Sequence, residues 1–213
     1  MAATIEPMQF KRDNMKVLAF SDLHRDVDAV QRIVAESQQA DVIIGAGDFA
    51  TCGLGAEDTL SVLKTLNMPV IMVSGNHDNT GALLELCDDW ENGHLLHGTG
   101  IAIDGVEFFG LGDEVPERHD EDWNQSLTED VAAEMLQACP VGAVLVTHTP
   151  PFGYCDLQRN GAHEGSVAIC NSIKTRQPIL NLCGHIHNSW NTTAMVGNTQ
   201  VYNLGPTAHW FEV

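Results

Sequence analysis

Basic residues are scarce in this sequence. Ten Lys and Arg stand against 29 Asp and Glu over 213 residues, a formal net charge of −19. Backbone phosphates of a nucleic acid need clustered cations, and no basic stripe is present, so an extended nucleic-acid surface is excluded. An anionic substrate would need a local positive source, which bound metal can supply. Long apolar runs are also missing: nothing approaches the ~20 residues that span a bilayer. Residues Met1 to Asn14 are mixed and polar and lack the apolar stretch of an export signal, so a cytoplasmic location is expected. None of the six cysteines, at positions 52, 87, 139, 155, 170 and 183, forms a C-x-x-C pair. They read as reduced thiols, mostly buried, of an intracellular protein. Internal repeats and low-complexity linkers are absent too, and the length favours one domain over residues 1–213.

What is present is a regular alternation. Met15–Ser21, Asp41–Ala46 and Pro69–Ser74 are short apolar runs suited to buried strands. Between them, Val27–Gln38 and Glu57–Leu66 carry apolar residues at helical spacing. Strand–helix–strand–helix–strand implies parallel pairing. Ile101–Ile103 and Val106–Leu111 flank Asp104-Gly105, a tight-hairpin signal. Leu127–Ala138 and Ser166–Thr175 read as helices, the second with Ser166 as N-cap. Val141–Thr147, Pro178–Cys183, Thr192–Val196 and Gln200–Leu204 read as strands, the last two joined at Gly197-Asn198. The class is α/β, with two mixed sheets packed together and helices outside.

Polar residues gather where the apolar strands end. The five ends carry Ser21-Asp22-Leu23-His24, Gly47-Asp48, Gly75-Asn76-His77-Asp78, Thr147-His148 and Gly184-His185-Ile186-His187. Sites in α/β sheets lie beyond the carboxyl ends of strands. Asp and neutral His are ordinary ligands for Mn, Fe or Zn. Residues two apart in extended chain face one side, so Asp22 can converge with His24, and His185 with His187. The glycines before Asp48, Asn76 and His185 permit sharp turns and close backbone approach. A lone D-x-H or Gly-Asp means little, and G-N-H-D after a buried strand is the most specific piece. All of them in this order point to a metal centre.

Two loops stand apart. Asp113–Ser126 is rich in Asp and Glu and contains Trp123; it reads as a solvated loop or, alternatively, as a lid beside a pocket. Pro150–Gly165 follows His148 directly and is weighted towards function. His94, His97 and His119 read as surface or loop residues. His163 and Arg159 are candidates for substrate contact. Trp190 and Trp210 read as packing residues, Trp190 being near enough to His187 to wall a pocket.

D-x-H, G-D, G-N-H-D, a later lone His and G-H-x-H together resemble the motifs of the calcineurin-like metallophosphoesterase superfamily, from Asp22 to His187. Asn203-Leu204-Gly205-Pro206-Thr207 resembles a segment near the C-terminus of small members. Thr147 to Gly153, with Gly165-Ser166, is similar to the small branch of MPPED-like phosphodiesterases. The resemblance implies a four-layer α-β-β-α sandwich and two divalent ions, of Mn, Fe, Zn or Ni, that activate water to attack a small phosphate ester. It implies that Asp22, His24, Asp48 and His187 hold one ion, and that Asp48, Asn76, His148 and His185 hold the other, with Asp48 bridging. It also implies that His77 faces the phosphate without binding metal, with Asp78 supporting its imidazole.

Departures narrow the reading. Phe49-Ala50-Thr51 follows Gly47-Asp48, without the Arg and acidic partner of protein phosphatases. Few arginines are available to clamp a monoester dianion, which leans towards a phosphodiester. The alternatives are a binding scaffold on the same fold and a phosphomonoesterase or nuclease. A scaffold predicts eroded ligands, where every motif position here is filled. A DNA-repair nuclease predicts capping segments and basic surface, which leaves cleavage of short nucleotides open.

Overall fold

The structure is a computed structural model that describes residues 14–213. The reading of the polar start of the chain therefore lies outside the described residues, but for Asn14.

Among the described residues, eleven strands and five α-helices follow in order. Strand β1 (Lys16–Phe20) leads to α1 (Val27–Glu36), β2 (Val42–Gly45), α2 (Ala56–Leu63), β3 (Val70–Met72), α3 (Thr80–Cys87) and β4 (Gly93–Leu95). The hairpin of β5 (Thr99–Ile103) and β6 (Val106–Leu111) comes next, then α4 (Glu129–Met135), β7 (Val144–Thr147), α5 (Val167–Arg176) and β8 (Leu180–Cys183). The chain closes with β9 (Thr192–Val196), β10 (Thr199–Asn203) and β11 (His209–Glu212).

One sheet has the order β11-β1-β2-β3-β4 and the other β5-β6-β7-β8-β10-β9. Within the first, β1 to β4 pair in parallel and β11 runs antiparallel along β1. Within the second, β6, β7, β8 and β10 are parallel, with β5 and β9 antiparallel at the two edges. Both sheets are thus mixed.

The period of two along each strand sorts side chains between two faces. On β1, Val17 and Ala19 join Ile44, Val73, Val144, Val146 and Leu182 in the core between the sheets. Leu18 and Phe20 point the other way, onto Val30, Ile33, Leu60 and Leu63 of α1 and α2. The second sheet repeats the plan, with Phe109 and Leu145 packed on Ala132, Ile169 and Ile173 of α4 and α5. Strands buried on both faces explain the near-continuous apolar runs. The result is helices, sheet, sheet, helices, the four layers implied by the motif resemblance.

Local chemistry sets the boundaries. Asp26, Asn79, Thr128 and Ser166 cap α1, α3, α4 and α5, each side chain accepting a backbone N–H of the first turn. Strand β7 starts later than the apolar run suggested, because Gly142 at φ +77° turns the chain after Pro140 and leaves Val141 exposed. Helix α3 and strands β4 and β11 were not anticipated. Leu83 is the one buried side chain of α3, so that helix lacks a readable apolar face. Trp210, expected to pack, is 45% exposed on β11, which has a strand on one side only. All six cysteines are free; Cys139, Cys170 and Cys183 are buried, while Cys52 is exposed.

Candidate metal centre

The carboxyl ends of β1, β2, β3, β7 and β8 bring the motif residues together. Their backbone is strained: Asp22, His24, Asp48 and His185 have φ of 54°, 44°, 60° and 68°. Left-handed backbone costs roughly 1–2 kcal/mol for a residue with a Cβ, somewhat less for Asp. Hydrogen bonds between the loops hold it. Asp22 N–H donates to Gly47 O at 2.9 Å and His24 N–H to Asp48 O at 2.8 Å. The carboxylate of Asp78 accepts from Asp48 N–H at 2.9 Å, Ala50 N–H at 2.8 Å and Gly75 N–H at 2.8 Å. Hydrogen bonds of this kind contribute roughly 0.5–1.5 kcal/mol each, more where the acceptor is ionised, so three of them offset the strain at Asp48.

This corrects the expected role of Asp78. Its carboxylate grips the backbone of the Asp48 and Asn76 loops rather than the His77 ring. Burial and the neighbouring Asp48 charge push the group up to about 7, against the backbone donors that favour its ionised form. Close approach here also needs glycine. A Cβ on Gly75 would run into the Asp48 carboxylate, and one on Gly184 would come 2.5 Å from Asp22 Oδ2.

Asp22, His24 and His187 form one half of the cluster. The Nε2 atoms of His24 and His187 are 3.3 Å apart, and His187 Nε2 is 3.8 Å from Asp22 Oδ1. Asp22 Oδ2 accepts from the indole N–H of Trp190 at 3.0 Å, and that indole packs on His187 at 4.1 Å between ring centroids. Trp190 therefore walls the site and orients two of its donors.

Asn76, His148 and His185 form the other half. Asn76 Oδ1 lies 3.1 Å from His148 Nε2 and 3.1 Å from His185 Nδ1. His148 Nδ1–H donates to Ala46 O at 2.8 Å, which leaves Nε2 as the free donor atom. Asn76 Nδ2 donates to Asn124 Oδ1 at 2.9 Å, which turns its own Oδ1 inward. Asp48 stands between the halves: its Oδ2 is 3.5 Å from His24 Nε2 and 3.4 Å from His148 Nε2. Burial alone would raise Asp48, but His148, His24 and His77 hold it well below the usual carboxylate range. Burial alone would lower His148, but Asp48, with Asp22 and the Ala46 carbonyl, pushes it up to about 10.

This donor set fits divalent cations. Two imidazole nitrogens facing each other at 3.3 Å beside a carboxylate need a shared proton or a cation between them. Asp22, His24 and His187, as well as Asp22, Asp48 and His148, bring one donor atom each within 4.8 Å of one another. His77 joins His24 and Asp48 in a third such group. Its Nδ1, however, accepts Cys52 N–H at 3.1 Å, so a neutral ring carries its proton on Nε2. Burial, aided by the nearby histidines, keeps His77 below the ordinary imidazole range although Asp48 opposes this.

The acidic loop is more than a solvated segment. Asp113 and Glu114 follow β6 and are buried. Glu114 Oε1 lies 3.5 Å from His185 Nε2 and 3.2 Å from His119 Nδ1, and Oε2 accepts Asn124 Nδ2 at 2.9 Å. Burial would raise Glu114, but hydrogen bonds from His185, Asn124 and His119 bring it to about 2. Glu114 was missed in the sequence, although Leu111-Gly112-Asp113-Glu114 is a sixth strand end of the kind already singled out. His119 is a surface residue that reaches this buried acid; His94 lies on β4 rather than in a loop.

His163 and Arg159 are not brought to the cluster. They line a neighbouring hollow of about 360 Å³ that reaches Asn188, the residue after His187. His163 Nδ1–H donates to buried Asp156 at 2.6 Å, and Arg159 is exposed.

The chain as a whole is similar to known proteins. A signature of the calcineurin-like phosphoesterase superfamily domain matches residues 15–212. A UPF0046 protein of Caenorhabditis elegans is 29% identical over 209 residues, covering 89% of this chain and 69% of its own. The glycerophosphodiester phosphodiesterase GpdQ of Enterobacter lignolyticus is 26% identical over 223 residues, covering 98% of this chain and 78% of its own. Among solved structures, TT1561 of Thermus thermophilus superposes with a TM-score of 0.71 at 18% identity, covering 94% of this chain and 99% of that one. At that identity the likeness speaks to the fold alone. No helix among the described residues is long and apolar enough to cross a membrane.

Proposed function

This chain belongs to the calcineurin-like phosphoesterase superfamily and is a metal-dependent phosphoester hydrolase, and from that premise we propose that it works with two metal ions on a small phosphodiester. Asp22, His24, Asp48 and His187 would hold one ion, and Asp48, Asn76, His148 and His185 the other. The observation that carries this reading is the position of Asp48 Oδ2, 3.5 Å from His24 on one side and 3.4 Å from His148 on the other. The reading treats residues 1–213 as one catalytic domain. The six free thiols suit a reducing compartment, the cytoplasm.

When bound, two divalent cations supply a lowered pKa for water and positive charge opposite the phosphate oxygens. The chain's own groups do the rest. Ala46 O fixes the His148 tautomer, Glu114 faces the far side of His185, and Trp190 N–H orients Asp22, so the donors are set before substrate arrives. His77, its Nδ1 engaged by Cys52 N–H, presents an Nε2–H donor. It donates to an oxygen of the phosphate and stabilises the charge that grows there. His163 and Arg159, beside Asn188, offer a subsite for the far end of the substrate.

Elemental analysis of the purified protein, followed by assays after reloading with Mn, Fe, Ni, Zn or Mg, tests the reading. Two ions per chain and hydrolysis that depends on them are expected. A stoichiometry of one, with full activity, would defeat the dinuclear assignment.

A further inference from the structure

His77 is held from several sides. The Trp123 indole stacks on it with ring centroids 4.5 Å apart and planes 27° from parallel. His24 meets it edge-on at 4.8 Å and 90°. Cys52 N–H occupies its Nδ1 at 3.1 Å. Among the described residues no carboxylate is hydrogen-bonded to the ring, because Nδ1 takes Cys52 N–H and Asp78 is committed to backbone donors.

Trp123 comes from the acidic loop, and that loop is moored beside His77. Gln125 N–H donates to Asn76 O at 3.0 Å, Asn76 Nδ2 donates to Asn124 Oδ1 at 2.9 Å, and Asn124 Nδ2 donates to buried Glu114 at 2.9 Å. A half-buried indole would ordinarily be read as core packing. Trp123, however, belongs to none of the three apolar cores among the described residues. The stacking partner the structure gives it is His77.

We infer that Trp123 is the positioning residue for His77: the Cys52 N–H selects the Nε2–H tautomer, and the indole fixes the plane in which that N–H points. This rests on the reading of His77 as a donor to the phosphate. Misplacing such a donor by about 1 Å can cost ~10²-fold in rate, whereas substrate affinity, set largely by the ions, changes little. Trp123→Ala should therefore lower kcat by ~10–100-fold with KM nearly unchanged and metal content intact. Trp123→Phe keeps a stacking ring and should recover most of the loss.

The test is a double-mutant cycle with bis(4-nitrophenyl) phosphate on the metal-loaded protein, using His77→Ala, Trp123→Ala and both together. If Trp123 acts through His77, it adds almost nothing once His77 is gone. A second readout uses imidazole ¹⁵N resonances of His77 in the metal-free chain. Unprotonated Nδ1 and protonated Nε2 should be seen in the parent and in Trp123→Phe, and should average in Trp123→Ala, where the unstacked ring swings off Cys52 N–H. Fully multiplicative losses, or loss of metal from Trp123→Ala, would overturn the inference while leaving His77 in place. A harmless His77→Ala would instead bring down the reading of His77 on which it rests.

Discussion

Asp48 and His148, a hundred residues apart in the chain, face each other across 3.4 Å between Oδ2 and Nε2, both buried at the junction of the two sheets. In the metal-free chain this is an ion pair with a proton on His148. The same two atoms are the donors a cation would need, so proton and metal compete for one place.

That competition sets a pH dependence. His148 rises from 6.5 to about 10, because Asp48, Asp22 and the Ala46 carbonyl overcome the burial that would lower it. A group raised on folding stabilises the metal-free chain fully below its unfolded value and loses that contribution as pH climbs through the folded one. The metal-free chain should thus lose stability between about pH 6.5 and 10, while metal affinity rises over the same window as the proton leaves. Thermal melts of the chelator-treated protein and metal titrations from pH 6 to 10 check both trends. Affinity that stays flat with pH would show that His148 carries no proton for metal to displace.

Asp48→Asn removes the one carboxylate placed between the halves. It keeps the shape but not the charge, and leaves Asp22 as the remaining carboxylate for His148 and His24. Metal content should fall below two per chain and hydrolysis should be lost. A variant that keeps two ions and a near-normal rate would contradict the bridging role.

Glu114 makes a subtler case. Its carboxylate faces the side of His185 turned away from Asn76 and also holds His119 and Asn124. Partners of this kind typically carry 10–100-fold in metal affinity. Glu114→Ala should weaken metal binding by about that factor and, by taking the acceptor from Asn124 Nδ2, cost roughly 1–3 kcal/mol in stability. Glu114→Gln should lose less of each. Competition with a chromophoric chelator and urea unfolding measure the two separately; unchanged affinity in Glu114→Ala would reduce Glu114 to a structural anchor.

The sequence made the strand ends legible because each ligand motif closes an apolar run, and five buried strands are easy to see. Three elements stayed hidden. Helix α3 buries only Leu83, β4 is a three-residue strand with half-buried side chains, and β11 alternates half-buried and exposed residues at a sheet edge. For Asp78 the motif resemblance implied support of the His77 imidazole, whereas a left-handed Asp48 needs an acceptor for its backbone N–H, and Asp78 supplies it. Glu114 and Trp123 were obscured by the acidic residues around them: a run of charge looks solvated, and only the fold shows that its first two residues turn inward.

The proposed diester preference rests on where the described arginines lie. Among the described residues, none of the bonds or ion pairs at the cluster involves an arginine. Arg25 is paired with Asp58 at 2.9 Å, Arg118 donates to Gly165 O at 3.2 Å, and Arg159 lies on the hollow beyond Asn188. A monoester dianion brings two charges, which enzymes commonly meet with a bidentate guanidinium in addition to metal. A diester brings one charge, which two ions and the His77 N–H can balance. Kinetic comparison of bis-aryl phosphates and cyclic nucleotides with the matching monoesters, at one pH and with one metal, should therefore give higher kcat/KM for the diesters. Arg118, committed to the Gly165 carbonyl, supplies the control. If it were a clamp, its alanine variant would lose monoester turnover selectively, and diester preference should be unmoved. Consistently faster monoester turnover across the panel would overturn the diester assignment and leave the metal-dependent phosphoesterase standing.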